Sequence, residues 1–259
     1  MSKKYSLLDS EMKEWEHKYR RVIDPSEYVI LRIDGRAFHT FTRGLDKPFD
    51  SNLKDSMVYT SEALAKGIQG VRLVYTQSDE ISVLITSWKD GAFNPKPELP
   101  FGGVEAKLVS LSASIASTAF NWYGDTLGWS KANFDSRVFT FPGTEEGREL
   151  VSKYFLWRHR DAVKNSVSMA ASAHFSHKEL HQKSVSDRLM MLQQKGVDWE
   201  DTYQDPFKYG TYLYPVVVKH MLEDGEVYYR RNWDTSSPKT SANVRVHIPS
   251  LPAVDTYTS

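Results

Sequence analysis

The chain has 259 residues, 40% of them hydrophobic, so it can bury a substantial core as one large domain or as a domain with an extension. Its 33 basic and 33 acidic residues cancel, which excludes a bulk positive field and leaves only a local patch for any contact with nucleic acid. The absence of cysteine excludes disulfides and thiolate zinc sites and is compatible with a reducing cytosol.

The amino-terminal segment, residues 1–21, is too charged for a signal peptide. The sequence also contains no run of about twenty apolar residues, the length that crosses a bilayer. We therefore expect a soluble protein in the cytoplasm that has no membrane partner.

The first half of the chain alternates β-rich apolar runs with helix-like segments. In chain order, the patterns predict a strand over 27–33, a helix over 51–69, strands over 71–77 and 81–86, a long loop over 88–103, a helix over 104–121 and a strand over 137–141. This order is that of a ferredoxin-like βαββαβ unit, so the sequence predicts an α+β fold.

Two acidic turns follow strands of this unit. Asp34 and Gly35 end the first strand, and Asp79 lies in the turn between the second and third strands. A right-handed crossover makes the first two strands parallel and leaves the third strand antiparallel between them. Asp34 and Asp79 are thus predicted to converge at one edge of the sheet.

The pattern becomes mostly helical after Pro142. Thr144, Glu145 and Glu146 are typical of a helix start, and helical segments are predicted over 150–162 and 185–194. Residues 209–249 are aromatic and β-branched and indicate a small strand-rich appendage. We expect a catalytic unit over residues 1–142 and a helical and strand-rich extension over 143–259 that packs on it, with a soft boundary.

Two carboxylates and a backbone carbonyl are suitable ligands for Mg²⁺, and two such ions can hold the attacking and leaving oxygens of a phosphoryl displacement. Asp34, Asp79 and the carbonyl near Gly35 could supply these ligands. Glu80 faces away from Asp79 if both are extended, which favours a supporting or structural role for Glu80. The alternative is that both motifs are ordinary turns, since Asp, Gly and Ser are common turn residues.

Basic residues lie between Asp34 and the helix that begins near Ser51. A helix amino terminus with nearby Lys and Arg suits a triphosphate, and Lys47 is the main candidate, although a solvated loop lysine would look the same. Lys107, on the helix expected beside the same sheet edge, is similarly open. Residues 157–165 place Arg158, Arg160 and Lys164 around an aromatic residue, which suits an RNA end but equally a solvated helix face.

Several segments resemble the tRNA-His guanylyltransferases and the related 3′–5′ RNA polymerases of the guanylyltransferase-like group. The resemblance is clear over about residues 27–165 and rests on RIDGRAFHTF (32–41), KPFD (47–50), QSDEIS (77–82), AKLVSLSAS (106–114) and DSRVFTFP (135–142). It implies a polymerase-type palm and two Mg²⁺ ions bound by Asp34, Gly35 and Asp79. It also implies a homotetramer that takes ATP, GTP or other nucleoside triphosphates and tRNA.

The resemblance also implies a reaction. Family members activate an RNA 5′-monophosphate with ATP, and the 3′-hydroxyl of an incoming nucleotide then displaces AMP. The predicted catalytic residues are Asp34, Asp79 and Glu80. The predicted nucleotide-binding residues are Arg36, Ala37, Phe38, His39, Lys47, Asp50, Ser78 and Lys107. The predicted RNA-binding residues are Arg158, Arg160, Asp161, Lys164 and Asn165.

One segment departs from the family pattern. Enzymes dedicated to tRNA-His carry a motif like HINNLYNT after the aspartate that matches Asp161, whereas Val163 and Ser168 replace its histidine and tyrosine here. This favours repair of 5′-truncated tRNA over strict tRNA-His guanylylation. The competing hypotheses are a palm-type nucleotidyl cyclase, for which the chain lacks a GGDEF-like turn, and a non-catalytic RNA-binding protein.

Overall fold

The computed structural model of this chain describes residues 3–88, 98–221, 227–239 and 248. The helices and strands are, in chain order, α1 (Lys3–Lys18), β1 (Tyr28–Gly35), α2 (Phe38–Phe41), α3 (Ser51–Gly67), β2 (Val71–Gln77), β3 (Glu80–Ile85), α4 (Glu105–Asp125), β4 (Phe134–Phe141), α5 (Glu145–His174), α6 (His177–Leu180), α7 (Val185–Gln194), α8 (Trp199–Thr202), α9 (Asp205–Tyr209), β5 (Thr211–Met221) and β6 (Val227–Ser236). Within these described residues, no helix combines the length and apolar character needed to span a bilayer.

A six-stranded sheet in the order β4-β1-β3-β2-β5-β6 organises the fold. β3 pairs antiparallel with both β1 and β2, so β1 and β2 run in the same direction with β3 between them. This confirms the predicted arrangement of the first three strands. β4 pairs antiparallel with the free side of β1.

Helices cover both faces of the sheet. Successive strand residues point to opposite faces, so each strand contributes side chains to both helix-covered cores. Val29, Leu31 and Ile33 face a core that includes buried residues of α3 and α4. Tyr28 and Ile30 face the other way, into a core that includes buried residues of α5. Burial of apolar surface on both faces stabilises the sheet, at roughly 25 cal/mol for each Å² removed from water.

Local capping signals set the helix starts. The Asp50 carboxylate accepts a hydrogen bond from the backbone N–H of Leu53 and caps α3, and the Thr144 hydroxyl accepts one from Gly147 and caps α5. The start of α5 at the predicted position is confirmed, but the helix continues to His174, well beyond the expected end at residue 162. Helix α7 has the predicted bounds.

The strand-rich segment near the carboxyl end joins the central sheet. Val74–Thr76 of β2 pair with Thr211–Leu213 of β5, and β6 pairs along β5, so this hairpin continues the central sheet. The sheet therefore contains strands from both sides of Pro142. Most of the long loop expected over 88–103 lies outside the described residues, and a 3₁₀ turn over Pro100–Gly103 ends it.

Gly210 allows β5 to join β2. Its backbone has φ 71° and ψ −174°, a conformation that is essentially restricted to glycine. A Cβ at this position would lie 2.7 Å from the carbonyl oxygen of Thr76 and 2.6 Å from the Tyr75 hydroxyl. Gly196 also has a positive φ, of 79°, but a Cβ there would meet nothing within 4 Å.

We expect Gly210→Ala to lower the free energy of unfolding by about 1–3 kcal/mol more than Gly196→Ala, because only Gly210→Ala adds overpacking against backbone to the strain of a positive φ. Urea unfolding of both variants measures the difference. Equal losses would show that the close approach of Gly210 to β2 does not matter.

Candidate active site

Asp34 and Asp79 lie together at one edge of the sheet. Asp34 stands opposite Glu80 in the pairing of β1 with β3, and the backbone N–H of Gly35 donates to the carbonyl of Asp79 at 3.0 Å. Asp79 follows Ser78 in the two-residue turn between β2 and β3. The fold thus brings together two aspartates that are far apart in the sequence.

The turn that carries Asp79 is under local backbone strain. Ser78 has a φ of 51°, which is uncommon for a residue with a side chain. Its hydroxyl donates to Asp79 Oδ1 at 3.1 Å and so helps to orient that carboxylate. Strained residues of this kind cluster at functional sites.

The electrostatics of the two aspartates favour a cation. Burial raises the pKa of the Asp79 carboxyl above its usual value, hydrogen bonds from its own backbone and from Ser78 oppose the rise, and the nearby negative charge of Asp34 adds to it. Asp34 Oδ2 lies 3.7 Å from Arg137 Nη2. In the described ranges, no cluster of three or more His, Cys, Asp or Glu residues could hold a metal. Two carboxylates are nevertheless enough for Mg²⁺, which keeps water and substrate oxygens as its other ligands.

Gly35 is required by the packing of the loop that follows β1. A Cβ at Gly35 would overlap the ring of Phe38. Phe38 is 4% exposed and packs against Phe41, Phe120 and Phe134. The glycine therefore lets the loop after β1 fold back onto the core.

Glu80 is the centre of a buried ion-pair network. Its carboxylate accepts a hydrogen bond from Arg32 Nη2 at 2.5 Å. Arg158 Nε lies 2.6 Å from Glu80 Oε1, but its N–H is not aimed at that oxygen, so this contact is an ion pair rather than a hydrogen bond. Burial raises the pKa of Glu80, and the positive charges of Arg158 and Arg32 oppose the rise. Glu80 thus joins β3 to β1 and to α5.

Arg158 was expected to contact RNA, and its position does not fit that role. Its side chain is 3% exposed, and Nη2 also lies 3.2 Å from Asp161 Oδ2. Asn165 donates to the same oxygen of Asp161. Arg160 and Lys164 lie on the exposed side of α5, where an RNA phosphate could reach them.

A cleft of about 320 Å³ opens beside Asp79. Five of the predicted nucleotide-binding residues line it, namely Phe38, His39, Lys47, Asp50 and Ser78. Sequence reasoning missed six further lining residues, Thr42, Leu45, Asp46, Pro48, Leu53 and Met169. Met169 comes from α5, and its sequence context carries no signal for this position. The Lys47 ammonium donates to the carbonyl of Thr42 at 3.0 Å.

Three predicted nucleotide-binding residues lie outside this cleft. Arg36 and Ala37 line a neighbouring surface cleft with Asn133. Lys107 does not lie at the expected sheet edge, because of the register of α4. The hydroxyl of Ser117 accepts from the backbone of Phe134, near Asp34, whereas Lys107 lies ten residues earlier, which is about 15 Å along the helix towards the opposite end of the sheet.

Comparisons with known proteins show which family this chain resembles in sequence and fold. A sequence profile described as "tRNAHis guanylyltransferase" matches residues 9–142, just over half of the chain. A solved structure described as a bacterial tRNA(His) guanylyltransferase (Thg1)-like protein in complex with ATP has 33% identity and a TM-score of 0.79, and the match covers 93% of this chain and 98% of that one. A second such bacterial structure, in complex with GTP, has 31% identity and a TM-score of 0.73, with the same coverage of 93% and 98%.

A curated relative shows a similar likeness over a shorter region. The tRNA(His) guanylyltransferase of Schizosaccharomyces pombe is 30% identical over 162 residues, which cover 60% of this chain and 57% of the relative. The chain spans about half to three fifths of the length of the curated relatives it matches.

The buried network predicts unequal effects for neighbouring arginines of α5. Arg158→Ala should lower the free energy of unfolding by roughly 3 kcal/mol, because it leaves the buried Glu80 carboxylate with one partner fewer. Arg160→Ala, at an exposed position of the same helix, should change it by less than about 0.5 kcal/mol. Urea unfolding tests both, and similar losses would contradict the structural role of Arg158.

The raised pKa of Asp79 predicts that, in the absence of metal, this residue lowers the free energy of unfolding by an amount that depends on pH. Since the folded chain holds this proton more tightly than the unfolded chain, stability is lost as pH rises from the ordinary aspartate pKa through the folded value. In EDTA, Asp79→Asn should therefore be more stable than the wild type at pH 7, and the gain should shrink as pH falls below about 4.

Asp187 provides a control of opposite sign. Hydrogen bonds from the hydroxyl and backbone N–H of Ser184 lower the pKa of Asp187, so Asp187→Asn should reduce stability at pH 7 and the loss should fade in acid. Thermal unfolding from pH 3 to pH 8 measures both variants. An Asp79→Asn variant that is less stable than the wild type at pH 7 in EDTA would contradict the desolvated state of Asp79.

Proposed function

Since the chain belongs to the tRNAHis guanylyltransferase family, we propose that it is a nucleotidyltransferase that adds nucleotides in the 3′–5′ direction to the 5′ end of tRNA. The observation that carries this proposal is the convergence of Asp34 and Asp79 beside a cleft lined by Lys47 and His39. The ATP and GTP complexes of the related bacterial structures support nucleoside triphosphates as substrates.

The sheet that supports this site would be a ferredoxin-like palm of the polymerase type. The strand order β4-β1-β3-β2 supports this assignment. Asp34, Asp79 and the carbonyl of Gly35 would hold two Mg²⁺ ions, since hard oxygen donors of this kind suit that metal. When bound, such ions stabilise negative charge on the attacking and leaving oxygens of a phosphoryl transfer.

The side chains around the cleft would orient the nucleotide. Lys47 is placed to meet a phosphate, because it lines the cleft and, among the residues that the structure describes, its ammonium donates only to the Thr42 carbonyl. His39 and Ser78 can donate further hydrogen bonds to phosphate oxygens. Asp50 holds the first turn of α3 and the backbone N–H of Asp46 in place through its two carboxylate oxygens.

The reaction would proceed in two balanced steps. The 5′-monophosphate of the RNA attacks the α-phosphate of ATP and releases pyrophosphate, which leaves a 5′-adenylylated RNA. The 3′-hydroxyl of the next nucleotide then attacks the 5′-phosphate and releases AMP. Glu80 would be a positioning residue, because it fixes the turn that carries Asp79 against β1 and α5.

General repair of 5′-truncated tRNA is the form of the activity that this chain's α5 favours. Val163 and Ser168 replace the histidine and the tyrosine of the motif by which enzymes dedicated to tRNA-His resemble one another. The Ser168 hydroxyl accepts from Arg188 Nη1 at 2.6 Å, so it is tied to α7. The cytoplasmic location and the homotetramer remain predictions.

A direct assay uses a tRNA transcript that lacks its first nucleotide and carries a labelled 5′-monophosphate. With Mg²⁺, ATP and each nucleoside triphosphate in turn, the wild type should lengthen the RNA at its 5′ end. Asp34→Asn and Asp79→Asn should each slow the addition by at least a hundredfold, because charge stabilisation at the reacting phosphate is lost.

Glu149→Gln is the matched control, since Glu149 is an exposed carboxylate of α5 that pairs with Lys153. It should leave the rate unchanged. No growth of any RNA 5′ end by the wild type, or near-normal growth in either aspartate variant, would refute the proposal.

A further inference from the structure

An exposed indole lies on α5 at the margin of the candidate active site. Trp157 is 52% exposed, although its neighbours in the sequence, Arg158 and His159, are buried. The guanidinium carbon of Arg158 lies 4.7 Å from the centre of the Trp157 ring, and that of Arg32 lies 5.9 Å from it. Because both arginines are held by Glu80, the indole rests on a rigid base and still presents a large apolar surface to solvent.

The position of Arg32 relates this indole to Asp34. Arg32 and Asp34 are two residues apart in β1, so their side chains share one face of the sheet. Arg137 of β4 stands opposite Arg32, and its Nη2 lies 3.7 Å from Asp34 Oδ2. The Trp157 ring lies 5.9 Å from that of Tyr154, which in turn lies 5.3 Å from the ring of Phe139 of β4. Trp157 therefore lies on the side of Asp34 where β1 meets β4.

Seen from Asp34, the nucleotide cleft and Trp157 lie in different directions. The cleft is lined by the loop after β1, by the start of α3 and by Met169 of α5. Met169 follows Trp157 by twelve residues, which corresponds to about 18 Å along the helix. The carboxylates of Asp34 and Asp79 thus have the nucleotide cleft on one side and the indole on the other.

Positively charged side chains follow the indole along the exposed side of α5. Arg160 and Lys164 follow Trp157 by three and seven residues, a spacing that keeps all three on one face of the helix. Both cations are exposed, and in the part of the chain that the structure describes neither forms an ion pair. A flat aromatic group followed by free cations is complementary to a nucleic-acid base followed by phosphates.

We propose that Trp157 is the stacking platform for the base at the 5′ end of the RNA substrate. This inference rests on the proposed function. The terminal base stacks on the indole, the 5′-phosphate lies towards Asp34, and Arg160 and Lys164 meet phosphates further along the RNA. Because stacking accepts any base, this arrangement suits an enzyme that repairs tRNAs with different 5′ ends.

Four proteins test this role: the wild type, Trp157→Leu, Trp157→Phe and the control Trp122→Leu. Leucine keeps apolar bulk over Arg158 but removes the aromatic face, and phenylalanine keeps a smaller one. Trp122 is 68% exposed on α4, which covers the opposite face of the sheet. The tRNA transcript lacking its first nucleotide serves as the probe, in two measurements: steady-state kinetics, and equilibrium binding without nucleotide or metal.

Trp157→Leu should raise the KM for RNA and the dissociation constant about tenfold, with the KM for nucleoside triphosphate unchanged. Trp157→Phe should stay within about threefold of the wild type, and Trp122→Leu should match the wild type.

Three results would overturn the role of Trp157. These are RNA constants for Trp157→Leu that equal those of the wild type, an equal loss in Trp157→Phe, and a rise in the KM for nucleoside triphosphate instead of the KM for RNA. The binding arm separates this inference from the proposed function. If the wild type binds the transcript through Trp157 but never extends it, the proposed function fails and the stacking platform stands.

Discussion

The buried carboxylate of Glu80 is the interaction on which the rest of the site depends. It pairs with Arg32 of β1 and Arg158 of α5, and it directly follows Asp79 in the chain. Burying a carboxylate is costly, and the cost is offset only when well-placed positive partners surround it. Because both arginines meet this one carboxylate, the turn that carries Asp79 is fixed against the strand that carries Asp34 and against the helix that carries Trp157.

The same region concentrates features that oppose stability. Asp79 is partly buried beside the like charge of Asp34, and Ser78 has a positive φ. Groups with pKa values raised by burial and by a like charge are typical of functional sites. The structure therefore places the Asp79 carboxylate where a bound cation or a proton would offset its burial, and the packing of the surrounding core compensates for the lost stability.

Local sequence patterns were sufficient for much of the fold. The bounds of α7 and the capped starts of α3 and α5 follow from signals within a few residues, and the handedness of the crossover then brings Asp34 to Asp79. The failures concern contacts between distant parts of the chain. The burial of Arg158 depends on Glu80 in another element, the position of Lys107 depends on the register of α4 against β4, and the joining of β5 to β2 has no local signal.

Diffraction from crystals of the full chain grown with Mn²⁺ in place of Mg²⁺ and a nucleoside triphosphate tests the central claim most directly. We expect an anomalous peak within about 2.5 Å of carboxylate oxygens from both Asp34 and Asp79, with Glu80 still paired to Arg32 and Arg158. A metal bound to neither aspartate, or two carboxylates turned away from each other, would contradict it.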